Sequence, residues 1–207
     1  MRIITMILML FAFTVNGIAQ GKGELSKLEL KEIKKQVKKY EKQGWTVRPG
    51  QKSLLLQQIQ SYKWRNEVND DLTPKWKIFE ASGVAKSYEA ARYVGLNNIQ
   101  SEFVRQATYE ITEEIKKSTN INDVKGSNPG AGVESIAKLQ ATESAKSIGQ
   151  ITDIIYPLVE MERTLPNGDL EIQMVFATSG SNFKEVVKNG VNQALERIYK
   201  KRNEQIE

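Results

Sequence analysis

Glu160 and Glu162 stand two residues apart in a stretch of alternating character, and Glu171 follows a short way on. On a strand, residues two apart share a face, and folding the chain back brings Glu171 opposite Thr164, beside them. Such a carboxylate set can hold a cation. Two of its members, roughly 5–9 Å apart, can also act as acid and base on a glycosidic bond. These carboxylates carry most of the available acid–base chemistry, because the 207 residues contain no His and no Cys. That composition excludes disulfides, Cys nucleophiles, Ser-His-Asp triads, His- or Cys-ligated zinc and His proton shuttles. The competing explanation is a solvated sheet face with Lys or Arg neighbours, and it is the one adopted. Asp70–Asp71 and Glu113–Glu114 are adjacent pairs whose side chains diverge.

Ser53 beside Lys52, and Ser87 beside Lys86, have the residue types of a Ser-Lys nucleophile. That chemistry needs a desolvated amine aimed at the hydroxyl, which sequence neighbours rarely supply. The Gly-rich stretch 126–132 lacks the Gly-Lys-Ser/Thr ending of a phosphate loop and reads as a linker. No catalytic, cofactor or metal residues are assigned.

Charge is more informative. Thirty basic residues stand against 25 acidic, and residues 24–52 alone hold nine basic against four acidic. Lys31, Lys34, Lys35, Lys38 and Lys42 recur at intervals of three or four, which places them on one stripe of a helix. Such a stripe can meet an anionic envelope surface or an acidic protein partner. Nucleic acid is not expected, because no aromatic stacking set accompanies the lysines. Trp45, Trp64 and Trp76 read as packing residues.

The elements that must position these groups follow from periodicity. Ser26 and Glu29 form a capping box, and Leu30, Ile33, Val37 and Tyr40 make an apolar stripe that ends at Gly44. A short helix runs from Ser53 to about Tyr62, and Asn69 to Pro74 is a loop. Trp76 to Ser87 reads as a strand, weakened or bulged at Gly83. Tyr88 to Lys117 is a long helix with Leu96, Ile99, Phe103, Ala107 and Ile111 on its apolar face. From Val133, the set Ile136, Ala137, Ala141, Ala145 and Ile148 suggests another helix. Asn167-Gly168 predicts a two-residue type I′ hairpin turn. That turn sets Leu165 opposite Leu170, Arg163 opposite Ile172, Met161 opposite Met174 and Val159 opposite Phe176. One face of the hairpin is then core, and Glu160, Glu162, Thr164, Glu171 and Gln173 are wet. A slip by one residue would bury the carboxylates. A second capping box at Asn182 and Glu185 opens a closing helix with Phe183, Val186, Val187, Gly190, Val191, Ala194, Leu195 and Ile198 on one face. The expected fold is α+β: a small antiparallel sheet, strand plus C-terminal hairpin, packed against long helices, with an N-terminal helical arm.

The segment Ala81-Ser82-Gly83-Val84-Ala85-Lys86-Ser87-Tyr88-Glu89-Ala90-Ala91 resembles the opening of the LPP20-like lipoprotein domain, where a strand with a central Gly runs into an Ala-rich helix. The hairpin and closing helix fit that order, and the resemblance spans roughly residues 74–203. The pattern around Gly44-Trp45 and Pro49-Gly50 looks like secreted proteins of uncharacterised function from the Bacteroides group. The resemblance implies an envelope accessory or interaction module without shared catalysis. The lipoprotein Cys is absent, which departs from the pattern.

Residues 1–19 read as a signal peptide: Arg2, then about 13 apolar residues from Ile3 to Val15, too few for a membrane span, then Gly17-Ile18-Ala19 as the cleavage site. The division is therefore 1–19 signal peptide, 20–73 helical arm and linker, and 74–207 α+β domain. The expected role is a non-enzymatic exported envelope protein, periplasmic, outer-membrane-associated or extracellular in a bacterium, that uses no cofactor and binds another macromolecule. A carboxylate-dependent hydrolase of envelope glycans is the alternative.

Overall fold

A computed structural model describes residues 25–118, 136–143 and 154–203. The expected leader and the Gly-rich linker lie outside the described residues, as do Ala145 and Ile148. The elements run α1 (Lys27–Lys42), α2 (Leu54–Asn66), β1 (Trp76–Ala85), α3 (Tyr88–Ser118), α4 (136–143), β2 (Tyr156–Thr164), β3 (Leu170–Ser179) and α5 (Gly180–Asn203). The three strands form one antiparallel sheet in the order β1-β3-β2. The architecture is α+β, as the periodicities require.

Each face of the sheet carries a core. Phe79, Ile172, Met174 and Phe176 pack with Ile99, Phe103, Ile111 and Ile115 of α3 and Phe183 and Val186 of α5. On the reverse face, Val159, Met161, Val175 and Ala177 pack with Ile33 and Val37 of α1, Trp45, and Leu54 of α2. A sheet with one wet face was expected from the alternation. Instead the helical arm docks on the second face and dries it. A 16-residue helix is marginal in water on its own, so α1 must bury its apolar stripe somewhere.

Local chemistry explains the arm. Ser26 N–H donates to Glu29 Oε2 at 2.7 Å and Glu29 N–H donates to the Ser26 hydroxyl at 3.2 Å, completing the expected capping box. At the other end Gly44 takes φ 83°. Trp45 N–H then bonds Tyr40 C=O and Gly44 N–H bonds Glu41 C=O, the paired closure of a Schellman motif. That closure turns Trp45 into the second core.

The hairpin register differs from expectation by one residue. The pairs are Thr164↔Leu170, Glu162↔Ile172, Met161↔Gln173 and Glu160↔Met174, so Met161 does not face Met174. Pro166 is the reason. A two-residue loop needs an N–H on residue 166 to close its last pair, and proline has none. The chain uses a three-residue loop instead: Leu165 N–H bonds Asp169 C=O, Gly168 N–H bonds Leu165 C=O, and only Gly168 has positive φ, at 83°. Pro166 suits the first central position of that turn.

Two further boundaries are corrected. Gly83 pairs with Ile172 in an unbroken ladder, so it marks no bulge. A Cβ there would stand 2.0 Å from Ala91 O, so glycine is what lets α3 press against β1. The closing helix starts at Gly180, and its cap is the Ser179 hydroxyl accepting from Asn182 N–H at 3.1 Å, not an Asn182 box.

Candidate functional site

The one-residue register shift decides where the carboxylates go. Opposite residues of an antiparallel pair share a face, so Glu160 and Glu162 lie with Met174 and Ile172 on the α3 side. Glu171 faces Arg163 on the reverse side and pairs with it at 2.7 Å. The three carboxylates are therefore not brought together, and the acid–base pair drawn from them does not form across this sheet.

Glu160, 12% exposed, accepts from three donors: the Tyr88 hydroxyl, Arg92 Nε at 3.1 Å and Gln51 Nε2 at 3.2 Å. Its backbone N–H, on the outer edge of β2, donates to Gln57 Oε1 at 2.7 Å. One residue thus ties β2 to α2, α3 and the 44–53 connection. Burial, and then the Glu160 carboxylate, push the Tyr88 hydroxyl up to about 12. Arg48 lies flat over the Tyr88 ring, 3.5 Å from its centroid. That stacking leaves its Nε 3.6 Å from Glu162 Oε2, and this buried oxygen has no hydrogen-bond donor. Beside the cluster is an open depression of about 590 Å³ lined by Gln51, Tyr88, Glu89, Arg92, Tyr93, Leu96 and Glu160. Both carboxylate oxygens and the backbone N–H of Glu160 are engaged in holding layers together, so the cluster is a clamp on the sheet edge. The Thr46–Glu162 bridge, with both backbone bonds at 2.8 Å, covers the next stretch of that edge.

Sequence reasoning found Glu160 and Glu162 but missed Arg48, Gln57, Tyr88 and Arg92. Their carboxylate-strand partners are 68 to 114 residues away along the chain, and no local spacing records such contacts.

The lysines are placed differently. Lys31, Lys34, Lys35, Lys38 and Lys42 are all exposed, on the side of α1 away from buried Ile33 and Val37. None of the five forms an ion pair among the described residues. The acidic neighbours are engaged elsewhere or lie off the stripe. Glu29 is held below its ordinary pKa by Ser26 and by the Tyr62 hydroxyl of α2, which donates at 2.9 Å. Burial and Glu29 in turn push Tyr62 up to about 12.

Of the three tryptophans, Trp45 is buried, and Trp64 and Trp76 stack at 3.9 Å with Tyr156 edge-on to both. Among the described residues no group of three or more acidic side chains is placed to hold a metal ion. No helix among them is long and apolar enough to cross a membrane. No protein family, curated protein or solved structure matches the chain.

Proposed function

We propose that this chain is a non-enzymatic, exported envelope accessory protein that binds another envelope component through the outer face of α1. The observation that carries the reading is the state of the five lysines: exposed, without ion-pair partners among the described residues, and fixed on a helix capped at both ends and seated on the sheet. Export rests on the leader-like residues 1–19, and the envelope on the resemblance to LPP20-like domains.

The test is cell fractionation of the wild-type protein and a Lys34→Glu, Lys35→Glu, Lys38→Glu variant. The wild type should be recovered with the envelope and the variant should be released. The variant's melting temperature should stay within about 2 °C, because exposed charges contribute little to folding. Equal envelope recovery of both proteins would overturn the reading.

A further inference from the structure

The distribution of charge around α1 carries more than the presence of a basic stripe. At about 100° per residue, Ile33, Val37, Leu30 and Tyr40 centre on the sheet. All seven lysines of the helix fall within an arc of roughly 140° on the opposite side, and Glu29, Glu32 and Glu41 fall outside it. The one other residue in that arc is Leu28, which is 67% exposed. The outer surface of α1 is thus lysine with a single protruding apolar side chain.

We propose that this face docks on an anionic lipid surface, a refinement that rests on the role given to α1 above. The residue types select this occupant over an acidic protein. Protein interfaces are enriched in Arg, Tyr and Trp, whose planar groups make bidentate or stacked contacts, and are depleted in Lys. The arc contains no arginine and no aromatic residue. Lysine is a compact, strongly hydrated point charge on a flexible stem. It suits a plane of mobile phosphate headgroups, where attraction is additive and needs no fixed geometry. The helix does not insert its apolar stripe as an interfacial amphipathic helix would, because that stripe already belongs to the second core. It lies along the surface by charge, with Leu28 reaching into the headgroup–acyl boundary.

The experiment is co-sedimentation of the exported form with phosphatidylcholine vesicles, with and without phosphatidylglycerol. Wild type should bind the anionic vesicles alone and be released as salt rises past about 0.15 M, where the screening length is about 8 Å. Lys34→Glu, Lys35→Glu, Lys38→Glu should weaken binding by about 100-fold or more. The matching triple Lys→Arg variant should retain binding, because charge and not shape is read. Leu28→Ser should weaken binding several-fold without changing its salt dependence. Failure to bind anionic vesicles, with lysine-dependent recovery in the native envelope intact, would overturn the lipid proposal and leave an envelope protein as the partner. Loss of lysine dependence in both assays would overturn both readings.

Discussion

The Gly83 and Gly95 backbones meet so closely that a Cβ on Gly83 would stand 2.4 Å from the Gly95 amide nitrogen. A Cβ on Gly95 would in turn sit 3.2 Å from the Met174 thioether. The contact sets the distance between α3 and β1 near the end of the sheet where Tyr88 and Arg92 reach Glu160. Gly83→Ala should therefore cost about 3 kcal/mol or more, since backbone atoms cannot give way as a side chain does. Urea denaturation measures it, and a change under about 1 kcal/mol would show that α3 can lift off β1.

The Glu160 clamp makes a second prediction. Glu160→Gln keeps the shape but removes the charge that Arg92, Tyr88 and Gln51 share. A loss of about 1.5–3 kcal/mol is expected, the range for hydrogen bonds to a charged group. The same measurement on Glu171→Gln, whose carboxylate accepts from Arg163 where Glu160 has three donor residues, should give a smaller loss.

Two hairpins of the same form make a matched test of backbone strain. Asn69 N–H bonds Thr73 C=O and Leu72 N–H bonds Asn69 C=O, repeating the pattern at Leu165–Asp169. The left-handed position is Gly168 in one loop and Leu72, at φ 63°, in the other. Gly168→Val should destabilise by about 1–2 kcal/mol. Leu72→Asn should stabilise by about 0.5 kcal/mol, because Asn tolerates that region and Leu72 is 70% exposed. Denaturation midpoints moving in the same direction would contradict this assignment.

Alkaline pH provides the next test. Tyr62 and Tyr88 are each raised from 10.0 to about 12 in the folded protein. The unfolded chain releases these protons first, so stability supplied by the neutral hydroxyls is full below pH about 10 and is lost as pH approaches about 12. Tyr88→Phe should flatten part of that decline in a pH series of melting temperatures. A decline as steep as wild type would place the titration elsewhere.

These tests also mark where sequence stopped being informative. The α1 cap, the Gly44 stop, the α3 face from Leu96 to Ile111 and the buried face of α5 are legible because they depend on neighbours within about four residues. The hairpin register is less legible from Asn167-Gly168 alone, because the missing N–H of Pro166 forbids the shorter loop that this pair favours. That one residue carries Glu160 and Glu162 from a solvated face to the α3 side. The clamp itself was illegible, since Gln57, Tyr88 and Arg92 lie far from Glu160 in sequence and meet it only through the tertiary fold. Docking of the arm on the second sheet face was open in the same way: the stripe on α1 shows that a face must be buried, not against what.

The central claim, that the outer face of α1 is the contact surface, is tested most directly by site-specific shielding. The chain has no Cys, so one introduced thiol takes one label. Lys35→Cys places it on the outer face of α1, and Lys188→Cys on exposed α5 across the sheet. With native envelope membranes added, a fluorophore at position 35 should become shielded from a water-soluble quencher, while one at position 188 stays accessible. Shielding at 188 with 35 still open to quencher would contradict the account.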